Sequence, residues 1–123
     1  MNKQKTFFYD KEKFYIPIHI NNFVYCLSSG FVGATVHNKR ENDFQNLNKA
    51  KISGFLKFPP PFWALNCGEE GPKVVLETNI EKDKLEKKDE YYTYDKLIKI
   101  TKINKVYFDN IYFIYFIYEI FIC

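Results

Sequence analysis

Two histidines and three cysteines stand out in this 123-residue chain as candidates for nucleophile, general base or metal ligand. Histidine is a common general base, and His19 could polarise a carbonyl or abstract a proton. Cys26, seven residues on, could serve as the nucleophile that such a base activates. No third side chain stands out to orient the histidine, and the spacing matches no local catalytic signature. The expected role of His19 is therefore punctuation at a junction between two elements. A metal centre drawn from His19, Cys26, His37 and Cys67 lacks the close ligand pairs through which one turn presents two groups to one ion, so no metal is expected. "GEEGP" (68–72) lacks the lysine and hydroxyl of a phosphate loop and reads as a turn.

The elements around His19 are the most legible part of the chain. Over 13–20, Phe14, Ile16, Ile18 and Ile20 fall on one face and Lys13, Tyr15, Pro17 and His19 on the other. That period of two is a half-buried strand, in which Pro17 marks an edge or a place where no ladder bond is needed. Asn21-Asn22 can cap a short helix with Phe23, Val24 and Leu27 inward and Gly30 closing it. "FVGATV" (31–36) reads as a further strand. The polar stretch 37–50 reads as a loop or peripheral helix that touches a core through Phe44 and Leu47. "KISGFLKF" (51–58) reads as extended, "PPP" (59–61) as polyproline II, and "KVVLET" (73–78) as a strand. Residues 81–90, rich in both charges, read as a solvated segment. "LIKITKINKVYF" (97–108) alternates and reads as one strand, with Asp109-Asn110 turning into the terminal run. Strands with one or two short helices predict a small α+β domain built on a mainly antiparallel sheet. It spans 1–123 as a single domain or the N-terminal segment of a longer protein.

"HINNFVYCLSSG", a histidine followed by a short amphipathic helix and a glycine, resembles the opening of DarT-type DNA ADP-ribosyltransferases. The resemblance covers about twelve residues. It implies a second reading, a nucleotide- or nucleic-acid-modifying enzyme in which His19 would hold the nicotinamide-bearing cofactor.

Composition narrows the partners. Phe, Ile, Tyr, Asn and Lys make up about half of the chain, and each has a codon built of A and T alone, the mark of an AT-rich genome. A net charge of +3 is then weak evidence for nucleic acid, the more so with one arginine, Arg40, among 18 basic residues. A nucleic-acid module would need the lysines of 39–57 and 96–105 to share one face. Three cysteines without a C-x-x-C pair, and no leader-like or membrane-spanning apolar run, point to the cytoplasm.

Two aromatic or apolar stretches remain as binding surfaces. "FPPPFW" either stiffens a crossover with Trp63 on the core or offers Phe62 and Trp63 to a partner. Residues 111–123 carry one charge, Glu119, in thirteen positions. As a strand they would extend roughly 43 Å, and as a helix about 20 Å. Either form needs cover, as a central element of the core or, through Ile114, Phe116 and Phe121, against a protein partner or a second copy. The expected function is a small non-catalytic cytoplasmic protein, immunity-like, regulatory or accessory, without a cofactor.

Overall fold

The computed structural model describes residues 11–33, 45, 51–65 and 73–108, without the side chain of Phe62. Strand β1 (Lys11–His19) runs into helix α1 (Ile20–Ser29), followed by β2 (Phe31–Val32), β3 (Ile52–Gly54) and a one-turn helix α2 (Phe62–Leu65). The long strand β4 (Lys73–Glu81) follows, then β5 (Glu86–Lys87), β6 (Tyr92–Tyr94), β7 (Ile98–Lys99) and β8 (Ile103–Phe108). Three-residue 3₁₀ turns at Lys82–Lys84 and Ile100–Lys102 separate β4 from β5 and β7 from β8. The class is α+β with antiparallel pairing throughout.

β4 is the centre of the frame, with β1 on one side and β8 on the other. β3, β6 and β5 form a second sheet, and β2 pairs β7 in a short ribbon. Tyr15 joins the two three-stranded sheets by exchanging both backbone hydrogen bonds with Phe55, each 2.8 Å. Gly54 permits that approach. A Cβ there would sit 2.6 Å from both the Phe14 ring and the Tyr15 carbonyl, closer than real contacts allow.

Pairing with Phe55 means that Tyr15, and with it Pro17, turns its backbone groups away from β4. Pro17 has no N–H to offer there, and no backbone hydrogen bond joins it to Ser53 of β3. Gln45 fills the gap. Its buried amide donates Nε2–H to the Pro17 carbonyl at 2.6 Å and to the Ser53 carbonyl at 2.9 Å, while its Oε1 accepts from the Ser53 amide at 2.8 Å. One side chain thus carries the ladder between β1 and β3 past the proline, the site without a ladder bond that the sequence led one to expect.

The core lies on the face of Phe14, Ile16 and Ile18 with Val74, Leu76 and Val106, closed by Phe23 and Cys26 of α1. Asn22, Phe23 and Cys26 point inward, whereas Val24, expected inside, is exposed. The helix is capped by His19, two residues before Asn21, and Cys26 is buried while Val24 is exposed. Gly30 ends it with φ of 86° and its amide on the Cys26 carbonyl, as its position after the last apolar residue implied.

The opposite face of β1, read as the outer one, is buried from Tyr15 to His19 as well. The segment 55–65 lies against it through Phe58, whose ring meets Tyr15 on one side and Tyr107 on the other, at 5.4 and 4.3 Å between centroids. The stretch 97–108 is not one strand but β7 and β8 divided by the 3₁₀ turn. Of 31–36, Phe31 and Val32 are strand, and residues 34–36 lie outside the described residues. So do Phe44 and Leu47, the turn at 67–72, Asp109-Asn110 and the terminal run 111–123.

Candidate functional site

His19 ends β1 and opens α1. Its backbone is extended (φ −64°, ψ 143°), and its Nδ1 accepts the Asn21 amide at 3.1 Å. An N-cap side chain accepts from one of the helix's first free N–H groups, a task usually given to Ser, Thr, Asp or Asn. Here an imidazole nitrogen takes it, which fixes Nδ1 as the unprotonated nitrogen. With 2% of its surface exposed, His19 presents no face to a substrate. Cys26 is fully buried in the core, so its thiol is no accessible nucleophile. His37 and Cys67 lie outside the described residues. Among the described residues no group of three His, Cys, Asp or Glu side chains could hold a metal.

A second constellation was not singled out from the sequence. Glu77, at the middle of β4, is 3% exposed. Its register partner on β1 is Tyr15 and its partner on β8 is Lys105, while Tyr107 lies opposite Val75. Tyr107 donates its hydroxyl to Glu77 Oε1 at 3.1 Å, with Tyr15 facing Glu77 across the β1–β4 pair. A carboxyl group this deep in protein needs such donors. Burial first, and then the nearby Glu77, pushes the Tyr107 phenol up to about 12 and raises that of Tyr15. Both phenols therefore stay protonated at neutral pH, and Tyr107 acts as a donor rather than as a base. The Tyr107–Glu77 contact locks β8 to β4 opposite Tyr15 of β1 and is not an acid–base pair.

Over this lock lies an aromatic surface. Phe58, held between Tyr15 and Tyr107, is 47% exposed, and Trp63, edge-on to Phe55 at 6.0 Å, is 39% exposed. Phe55 also meets Tyr91 at 6.5 Å and packs on Ala64 beneath α2. The α2 turn that carries Trp63 starts on Pro61, whose carbonyl accepts from the Ala64 and Leu65 amides. Of the binding residues expected from the sequence, Trp63 reaches this surface. Phe62 sits in α2 with its side chain outside the described residues, as are Ile114, Phe116 and Phe121. Phe58 was missed because one phenylalanine before a proline run carries no sign of the two tyrosines it meets.

The lysines divide. Lys51 is neutralised by Glu86 at 2.7 Å, and that contact raises the lysine and lowers the carboxylate from their ordinary values. Lys99 and Lys102 instead border a groove of about 510 Å³, together with Lys11. No helix among the described residues is long and apolar enough to cross a membrane.

Comparison with known proteins returns no match to a family model, a curated protein or a solved structure.

Proposed function

We propose that this chain is a small non-catalytic module that acts through protein–protein contact, using the surface around Phe58 and Trp63. The observation that carries this reading is the state of Phe58. Its ring is nearly half exposed, yet clamped between two tyrosines, of which Tyr107 is itself fastened to Glu77. Large aromatic rings already held in place lose little freedom on binding, and they supply most of the energy at protein interfaces. Exposed Lys57 and Lys105, a neighbour of Phe58 and the register partner of Glu77, favour a partner with acidic residues at its rim.

An immunity-like, regulatory or accessory role fits such a surface. Cysteine usage favours the reducing cytoplasm. The apolar composition of 111–123 supports a second contact, to a partner or another copy. The ADP-ribosyltransferase-like reading gains no support from His19, whose ring is buried and whose Nδ1 is occupied by the helix.

A photo-crosslinking side chain in place of Trp63 tests the proposal in cells. The expected product is a discrete adduct with one protein, lost when Lys57 and Lys105 are both changed to Glu. An ADP-ribosyl transfer activity abolished by His19→Ala would overturn it, as would the absence of any protein adduct.

A further inference from the structure

We propose that the groove between the end of β4, β6 and the β7–β8 turn is a binding site for a nucleotide, with its phosphates on Lys11, Lys99 and Lys102. Three observations support this site. All three lysines are exposed, and none has an ion-pair partner among the described residues. No carboxylate is among the described residues that line the groove. Three ammonium groups around one concavity repel one another, and an anion of several charges relieves that repulsion.

The scaffold beneath them is fixed. The Thr78 hydroxyl donates to the Lys102 carbonyl at 2.7 Å, which fastens the 3₁₀ turn to β4 where the β4–β8 register shifts. On the other side the Ile100 amide donates to the Gly30 carbonyl at 2.8 Å, and β7 pairs β2. Lys99 and Lys102 therefore project from a turn tied down at both ends, as a site needs.

The groove is not polar alone, and this is what selects a nucleotide over a simple anion. Leu97 is 50% exposed on its wall, near half-buried Tyr94. Leu97 lies over Gly33, its side chain occupying the space that a Cβ there would take. A leucine beside a tyrosine offers an apolar wall to a base, while inorganic phosphate would leave that wall unused. The volume, about 510 Å³, falls in the range of small-ligand sites. The site shares no residue with the aromatic surface around Phe58, so either can fail without the other.

Titration calorimetry with ATP, adenosine, tripolyphosphate and a single-stranded RNA oligomer tests this. ATP is expected to bind saturably below about 1 mM, more tightly than the other three, and to weaken with added salt. Lys99→Gln with Lys102→Gln should weaken ATP about tenfold, a loss of ~1.4 kcal/mol, without changing the melting temperature, since both side chains are exposed. Leu97→Ser should weaken ATP and leave tripolyphosphate unchanged. Failure of ATP to saturate, or indifference to the double lysine variant, overturns the site. Tripolyphosphate binding as tightly as ATP would make it a plain anion patch, and tighter RNA binding would make it a nucleic-acid surface; either result overturns the nucleotide assignment.

Discussion

His19→Asn and His19→Ala separate the roles open to this side chain. The asparagine oxygen can accept the Asn21 amide as Nδ1 does, so the helix keeps its cap, whereas alanine leaves that amide without its partner. Loss of an N-cap costs about 1 kcal/mol. Urea denaturation should therefore find His19→Ala less stable than His19→Asn, and equal stabilities would remove the capping role. Tyr107 gives a pH-dependent counterpart. Its phenol ionises near 10 when unfolded and at about 12 in place, so between those values the unfolded chain binds fewer protons than the native one. Stability should fall as pH rises through that window, and Tyr107→Phe should flatten the fall. An unchanged slope in the variant would sink the Glu77–Tyr107 contact. Neither role could be read from the chain: a histidine is an uncommon cap, and Tyr107 stands thirty residues from the carboxyl group it holds.

At the scale of elements, alternation was legible wherever one strand buried one face against the core. Ile18 is fully buried and Lys13 exposed, as their positions in β1 implied. Ile18→Asp should unfold the protein by burying an unpaired charge, and Lys13→Asp should leave the melting temperature nearly unchanged; similar effects would be incompatible with this strand. What the pattern could not show was the division of 97–108. Nothing local breaks that run. The break comes from partners far along the chain, Thr78 on the Lys102 carbonyl and Gly30 on the Ile100 amide. Gln45 is a similar case, because a polar stretch gives no hint that one glutamine will be buried between two strands. Gln45→Leu would strip partners from the Pro17 and Ser53 carbonyls and the Ser53 amide. At 1–3 kcal/mol for each buried group left unsatisfied, the loss should reach roughly 3 kcal/mol in a denaturant titration. A loss below about 1 kcal/mol would mean that water serves those groups equally well.

Across the whole molecule the two three-stranded sheets are not joined with equal strength throughout. β4 is hydrogen-bonded along both edges, and its residues from Val74 to Thr78 are all buried. β5, by contrast, is two exposed residues at the far edge of the second sheet, next to the exposed 3₁₀ turn. It is tied back by Glu86, which contacts Lys51 at 2.7 Å and Lys88 at 3.4 Å. Ion pairs as exposed as these contribute little and are screened by salt. Local opening should therefore begin at β5 and leave β4 intact. Native-state hydrogen exchange should give the β4 amides protection close to that of global unfolding, with the 86–87 segment exchanging far faster. Added salt, or Lys51→Gln, should speed exchange at β5 and leave β4 unchanged, because only the edge depends on the Lys51–Glu86 contact. Equal protection in β4 and β5 would show that both sheets open as one unit, and that the Tyr15–Phe55 bridge and Gln45 couple them as firmly as a continuous ladder.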